Sequence, residues 1–222
     1  FFENEENAQF FLHKNIISAR QMKVLPGAGI NLNEYPYVPM KNDGVCSFLF
    51  VGRIMKEKGV DEFFAAAKTI KAEFGEKVAF DVVGFYEDAY KETVDQLVAD
   101  GVIKFHGFQT DVHPFYEAAD CVVLPSYHEG MSNVLLEGAA TGRALITSDI
   151  PGCREAVEDG VSGYICPAKD ADALYDAMQR FVELPESWRA EMGRRGREQM
   201  EKRFSKDAVV AETMKWLWII NG

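Results

Sequence analysis

Two glutamates flank a short turn in the middle of the chain. Glu129 lies in the turn and Glu137 lies in the apolar helical segment after it, with seven residues between them. The apolar run at residues 121–124 predicts a buried strand, and the N–H groups of residues 131–134 would open a helix at the carboxyl end of that strand. We predict that this turn binds an anion, with a polyhydroxylated group against each glutamate.

A plainer interpretation of the same spacing stays open. Glu137 would then be an acid in the first part of the helix, stabilised by the helix dipole. Glu129 would be a solvated residue of the loop. The spacing alone favours neither interpretation.

Two cations follow another apolar run, at residues 47–51. Arg53 comes just after that run, and Lys58 just precedes the next helical segment. If both apolar runs are parallel strands, their carboxyl ends share one edge of the sheet, so the two loops should face a common crevice. A cationic pair opposite a helix N-terminus suits a phosphate or diphosphate, and each charge-assisted hydrogen bond would contribute about 1.5–3 kcal/mol.

The elements that must position these residues follow from the hydrophobic pattern. Short apolar runs, typical of buried strands, alternate with segments of helical period. The predicted strands cover residues 47–51, 78–83, 103–105, 121–124, 144–147 and 161–166. The predicted helices cover residues 5–14, 60–74, 88–99, 112–118, 133–141 and 171–184. This alternation predicts an α/β fold, a Rossmann-like parallel sheet with helices on both faces.

Composition argues against several classes of function. The chain has 222 residues, 47% of them hydrophobic, and a formal net charge of −11. That charge disfavours nucleic acid as a partner and adsorption to anionic lipid. No apolar run reaches the ~20 residues of a membrane span. The four cysteines form no CxxC pair and the histidines are scattered, so we expect buried thiols and no metal site.

The two ends of the chain differ from its alternating middle. Residues 26–44 are rich in proline, glycine and asparagine and predict a linker. Residues 188–206 predict a basic helix that Gly193 and Gly196 weaken, with a solvated charged face. Ser205 would cap a final helix with an aromatic end at residues 216–220, which we expect to need a partner surface.

Taken in order, these motifs resemble the retaining glycosyltransferases of family 4. The resemblance covers nearly the whole chain, and the ordered set is specific where one motif alone would be weak. It includes Gly52-Arg53 with Lys58-Gly59, Pro125-Ser126 with Glu129-Gly130 and Glu137, Gly142 with Ile146-Thr147, and the segments 26–31, 151–155 and 158–164. The chain looks most similar to enzymes that build bacterial capsular or O-antigen polysaccharides.

The resemblance implies the C-terminal half of a GT-B fold, which has two Rossmann-like domains and a cleft between them. Residues 1–43 would be the tail of the N-terminal acceptor domain plus the interdomain linker. Residues 44–204 would be the nucleotide-sugar-binding Rossmann-like domain, and residues 205–222 a C-terminal helix. We expect this fragment to bind donor without turning over acceptor. The expected location is cytoplasmic, and the full-length protein is a candidate for peripheral association with the inner membrane.

The resemblance also implies roles for individual residues. Arg53 and Lys58 would bind the donor diphosphate, and Glu129 would face the transferred sugar; these three are the expected catalytic residues. Glu137 would bind the ribose hydroxyls, and Phe105 would lie near the base. The amides that hold the distal phosphate and the sugar would be those of Gly130, Met131, Ser132, Asn133 and Val134.

The implied substrates are a nucleotide-sugar donor and a saccharide or lipid-linked acceptor. UDP is the expected donor nucleotide, and the acceptor would bind through the N-terminal domain. No cofactor and no metal ion are expected, because the two cations and the helix N-terminus would replace a divalent ion. No nucleic acid partner is expected.

Two other functions stay open. A nucleotide-sugar epimerase of the same fold would need an acid–base pair, which Glu129 and Glu137 do not obviously supply. A non-catalytic nucleotide-binding α/β module would have no need of Arg53 and Lys58 together with these two acids.

Overall fold

A parallel sheet of six strands forms the centre of the computed structural model, which describes residues 1–221 and the side chains of residues 1–218. Strands β1 to β6 are Cys46–Val51, Val78–Val83, Lys104–Phe105, Cys121–Leu124, Ala144–Ser148 and Gly163–Cys166. Their order across the sheet is β3-β2-β1-β4-β5-β6, and all neighbours are parallel. From β1 the chain adds β2 and β3 on one side of the sheet and then β4, β5 and β6 on the other. The switch point therefore lies between β1 and β4, and open α/β sheets bind their ligands at such a point.

Helices pack around this sheet. They are α1 Glu5–His13, α2 Val60–Phe74, α3 Lys91–Ala99, α4 His113–Ala118, α5 Asn133–Thr141, α6 Ala171–Glu183, α7 Glu186–Gln199 and α8 Lys206–Asn221. α2 packs against α6 and β2, whereas α7 packs against α5 and β5. The predicted Rossmann-like α/β fold is therefore confirmed.

The core lies between the sheet and its helices. Every residue of β4 and β5 is buried, as expected for strands that are covered on both faces. Phe48 of β1 stacks on Phe80 of β2, with ring centroids 5.3 Å apart, and Phe63 of α2 meets Phe80 edge-on. Phe181 of α6 closes the same aromatic cluster against Phe48.

Two predicted elements start two or more residues away from the start that the structure shows. The strand predicted at 161–166 begins at Gly163, because the preceding residues form a turn in which the Glu158 carbonyl accepts the N–H groups of Val161 and Ser162, each at 2.9 Å. The helix predicted at 88–99 begins with a 3-10 turn, Asp88–Tyr90, before α3.

The predicted linker is bound to the sheet domain by two arginines. Val38 donates its N–H to the Thr141 carbonyl at 3.0 Å, and the fully buried Arg143 donates to the Val38 carbonyl. Arg197 of α7 donates to the Tyr35 carbonyl at 2.7 Å. Residues 35–38 therefore keep a defined position beside α5.

The basic helix α7 is only partly a solvated face. Arg194 and Arg195 pair with Glu191 on the same exposed side, as predicted. For Arg189 and Arg197 the prediction of solvation is wrong. Both guanidinium groups lie largely out of solvent, and each donates to a backbone carbonyl because α7 packs on the domain.

The final helix carries the predicted aromatic end. Trp216 packs against Phe1, with ring centroids 5.3 Å apart, and Trp218 is 78% exposed. The side chains of Ile219 and Ile220 lie outside the described residues, so the need for a partner surface stays a prediction. No helix within residues 1–221 combines the length and hydropathy that a membrane span requires.

A pair of glycines in α7 allows a test of the packing between α7 and the sheet domain. A Cβ at Gly193 would lie 2.0 Å from the Gly142 carbonyl oxygen, so α7 could not keep its position. We expect Gly193→Ala to lower the free energy of unfolding by about 1–3 kcal/mol in urea titrations.

Gly196→Ala, in the same helix, is the matched control, because the atoms nearest to its Cβ, in Ala139 and Arg143, would be 3.6 Å away. Alanine favours a helix over glycine by about 1 kcal/mol, so this variant should be neutral or more stable. Equal destabilisation by both substitutions would contradict the close approach of α7 to Gly142.

Candidate functional site

The loops after β1 and β4 touch at the switch point of the sheet. Tyr127 donates its N–H to the Glu57 carbonyl at 2.8 Å. Gly59 adopts φ +69°, and a Cβ there would lie 2.0 Å from the Pro125 carbonyl oxygen. Only glycine fits this backbone contact. The loop that carries Arg53 and Lys58 therefore lies directly against the loop that carries Glu129.

Lys58 and Glu129 form an ion pair across these two loops. The Lys58 ammonium lies 2.6 Å from Glu129 Oε1, and the Ser126 hydroxyl donates to the same oxygen at 2.8 Å. The Lys58 and Glu129 side chains are only 24% and 13% exposed. Both contacts use Oε1, so Oε2 of Glu129 is the oxygen left to accept from a ligand.

Arg53 lies at the carboxyl end of β1 with its side chain exposed. The backbone on either side of Arg53 is fixed, since Gly52 donates to the Val83 carbonyl and Ile54 to the Phe85 carbonyl, both at 2.9 Å. Within the described residues, the Arg53 guanidinium makes no hydrogen bond or ion pair. Its backbone is held in place, and its charge is available to an anion.

The turn before α5 offers several unused backbone N–H groups. Those of Met131, Asn133 and Val134 donate to no protein acceptor within residues 1–221. Ser132 differs, because its N–H donates to the Gly152 carbonyl at 2.9 Å, while its hydroxyl caps the helix. Of the amides predicted to hold the phosphate and the sugar, that of Ser132 is thus engaged within the protein, where it shapes the turn.

Segments far away in the sequence hold the Gly130 peptide group. Asn4 is 2% exposed and donates its side-chain amide to the Gly130 carbonyl at 3.3 Å. On the other side, Gly152 approaches so closely that a Cβ there would lie 2.1 Å from the same oxygen. The carboxylate of Glu3 also lies beside Gly130, 2.2 Å from where a Cβ would stand. Sequence reasoning missed Asn4 and Glu3, and neither has a local signal.

Glu137 projects from α5 into a pocket of aromatic side chains. It lies four positions after Asn133, which corresponds to about 6 Å along the helix axis. The Tyr116 hydroxyl donates to Glu137 Oε2 at 2.8 Å. Burial raises the pKa of Glu137 above its ordinary value, while hydrogen bonds from Tyr116 and Tyr35 and the charge of His113 act against that rise. Sequence reasoning missed both tyrosines.

Phe105 lies on the far side of the same rim, at the end of β3. Its half-buried ring contacts Tyr86, with centroids 5.5 Å apart. His106 follows and pairs with Asp81 through Nε2 and Oδ1 at 2.6 Å. Three strand spacings of about 4.8 Å separate β3 from β4, so Phe105 lies about 14 Å across the sheet from the Glu129 loop. Within the described residues, no group of three His, Cys, Asp or Glu side chains could hold a metal ion.

Comparison with known proteins identifies the family of this chain. The family model described as "Glycosyl transferases group 1" matches residues 46–183. A relative from Campylobacter jejuni, named N,N'-diacetylbacillosaminyl-diphospho-undecaprenol alpha-1,3-N-acetylgalactosaminyltransferase, is 27% identical over 82% of this chain and 50% of its own length. The capsular polysaccharide biosynthesis glycosyltransferase CapM of Staphylococcus aureus is 28% identical over 73% of this chain and 43% of its own. The chain thus spans about half the length of the curated relatives it matches.

Solved structures share the fold. Sucrose-phosphate synthase from Thermosynechococcus elongatus superposes with a TM-score of 0.80 and 24% identity, over 98% of this chain and 57% of that protein. Anabaena HepE, solved in complex with UDP, superposes with a TM-score of 0.78 and 20% identity, over 96% of this chain and 62% of its own.

The Lys58–Glu129 contact can be measured as a coupling energy. We expect a double-mutant cycle of Lys58→Ala and Glu129→Ala to give a coupling of about 1–2 kcal/mol in the free energy of unfolding, because both groups are largely withdrawn from water.

The control cycle uses Lys91 and Asp95, a pair of the same charges at 2.6 Å with both side chains 60% exposed. Little or no coupling is expected there, because solvent screens surface pairs. If the two cycles gave the same coupling, Lys58 and Glu129 would not be the preorganised pair described above.

Proposed function

Since the chain belongs to the Glycosyl transferases group 1 family, we propose that it is the donor-binding half of a retaining glycosyltransferase that uses a nucleoside diphosphate sugar. The observation that carries this proposal is the contact of Lys58 with Glu129, at 2.6 Å, beside the unused amides that open α5. A cation, a carboxylate and aligned N–H groups then lie within one crevice.

The cations and amides would stabilise the leaving diphosphate. Transfer breaks the bond between the anomeric carbon and a phosphate oxygen, so negative charge grows on the diphosphate. An ammonium group has three donors, so Lys58 can keep Glu129 and still donate to a phosphate oxygen. Arg53 would bind the same diphosphate, and the N–H groups of Met131, Asn133 and Val134 would add fixed dipoles.

Glu129 would face the transferred sugar. Lys58 and Ser126 hold its Oε1, which leaves Oε2 to accept from a sugar hydroxyl. A carboxylate at this place would also offset the positive charge that develops on the anomeric carbon. We assign no nucleophile, and retention rests on the resemblance to family 4.

The nucleoside would extend along the rim toward β3. Glu137 would accept from the ribose hydroxyls, and Phe105 would lie near the base. We favour UDP as the nucleotide because HepE, which shares the fold, was solved with UDP.

The acceptor would reach the donor through a second domain. The matched part of this chain spans about half the length of these relatives, and we propose that residues 1–43 are the tail of the acceptor domain plus the linker. Two relatives are named for transfer to a diphospho-undecaprenol sugar and for capsular polysaccharide synthesis. We therefore propose a saccharide or lipid-linked acceptor and a role in polysaccharide biosynthesis.

Thermal unfolding with UDP, GDP and ADP tests the donor assignment. One nucleotide should raise the midpoint, and at 100 times its dissociation constant it should stabilise by about 2.7 kcal/mol.

Arg53→Ala should weaken UDP binding by at least about tenfold and leave uridine binding unchanged, since the lost bonds are to phosphate. Glu137→Ala should lower the affinity for both UDP and uridine, because both carry the ribose.

Arg20→Ala is the control, because Arg20 is an exposed arginine in the segment before the linker and, within the described residues, makes no hydrogen bond or ion pair with the site. It should leave the midpoint shift unchanged. If none of the three nucleotides moves the midpoint, the donor-binding proposal is wrong.

Independence from metal ions is a separate expectation. Arg53, Lys58 and the α5 amides would supply the positive charge that a divalent ion provides elsewhere. We expect an excess of EDTA, which removes weakly bound metal ions, to leave the UDP-induced midpoint shift unchanged. A shift that vanished with EDTA and returned with Mg²⁺ would contradict the assignment of charge to these residues.

A further inference from the structure

The carboxylate of Glu137 is held by a tyrosine from the neighbouring helix. Tyr116 of α4 is fully buried, and its hydroxyl donates to Glu137 Oε2 at 2.8 Å. Burial and the nearby carboxylate raise the pKa of Tyr116, so its hydroxyl stays protonated and remains a donor. The bond joins two helices that pack against each other.

This bond limits the positions that the carboxylate can take. A glutamate side chain loses rotamer freedom when it is ordered, and that loss opposes binding if it occurs only in the complex. The buried ring of Tyr116 cannot follow a moving carboxylate, so Oε2 is fixed before any ligand arrives. Oε1 is then the oxygen that would accept from a hydroxyl group of a ligand.

A second tyrosine reaches the same carboxylate from the linker. The Tyr35 ring stacks on His113 with centroids 4.5 Å apart and meets Tyr116 edge-on at 6.1 Å. Its carbonyl is held by Arg197 at 2.7 Å, and the Tyr35 hydroxyl acts with Tyr116 to lower the pKa of Glu137, which burial raises. Glu137 is thus enclosed by α4 on one side and by the linker on the other.

We propose that Tyr116, supported by Tyr35, is a positioning residue that fixes the Glu137 carboxylate so that it accepts from the ribose hydroxyls of the donor nucleotide. The inference rests on the proposed function, because it takes Glu137 as the ribose ligand. It adds two residues to the nucleoside site, and one of them belongs to the linker outside the nucleotide-binding domain.

A purely structural role makes a different prediction. If the bond only tied α4 to α5, its loss would weaken every ligand equally or none. If it positions Glu137, its loss affects only ligands that carry ribose hydroxyls. UDP and 2′,3′-dideoxyuridine 5′-diphosphate separate these cases, because they differ only in those two hydroxyl groups.

The experiment is calorimetric titration of the chain with both ligands. We expect Tyr116→Phe to lower the affinity for UDP about tenfold, which corresponds to the loss of one charge-assisted interaction. The affinity for the dideoxy nucleotide should change less than about twofold. Tyr175→Phe is the matched control. It removes a hydroxyl that donates to the Glu73 carboxylate at 2.9 Å, at the end of α2 far from the site, and it should change neither affinity.

The pH profile gives a second readout. The groups that face Glu137 are Tyr116 and His113 of α4 and Tyr35 of the linker. Removing one donor raises the pKa of Glu137 further, so its ionised form is lost at a higher pH. The fall of UDP affinity on acidification should therefore begin at a higher pH in Tyr116→Phe than in the unmodified chain.

The outcomes distinguish a failure of the donor assignment from a failure of the positioning role of Tyr116. If the unmodified chain binds no UDP, the donor assignment fails and this inference fails with it. If it binds UDP but Tyr116→Phe weakens both ligands equally, or neither, the donor assignment stands and Tyr116 is structural. If circular dichroism shows that Tyr116→Phe does not fold, Tyr35→Phe is titrated instead, and the same selective loss for UDP is required.

Discussion

The contact between two loops at the switch point of the sheet is the constraint on which the site depends. β1 and β4 are neighbours, and the loops that follow them touch where Gly59 lies against the Pro125 carbonyl. Lys58 and Glu129 are 71 residues apart in sequence, and this backbone contact brings them to 2.6 Å. A side chain at position 59 would separate the loops and with them the charged pair.

The same region is rigid before any ligand binds. The turn at the start of α5 is held by Gly152 on one side and by Asn4 on the other, so its unused N–H groups keep their direction. Glu129 and Glu137 are each held through one oxygen, by Lys58 and Tyr116. Donors and acceptors that are fixed in advance need little reorganisation when charge develops in the transition state. Such preorganisation is a main source of electrostatic stabilisation in enzymes.

Sequence pattern predicts what local physics determines. α5 has its predicted bounds because Ser132 caps it and Gly142, at φ +90°, ends it. Pattern could not predict contacts that depend on how distant elements pack. Asn4 meets Gly130 across 126 positions, and the Tyr116 bond to Glu137 needs α4 to lie on α5.

The amide signals of the α5 turn test the central claim most directly. In two-dimensional NMR spectra of the chain titrated with UDP, we expect the largest chemical-shift changes at Met131, Asn133 and Val134, with a further change at Arg53. Residues 75–78 and 101–103, at the opposite edge of the sheet, should hardly move. The reverse pattern, with the largest changes at that opposite edge, would contradict a donor site beside the Lys58–Glu129 pair.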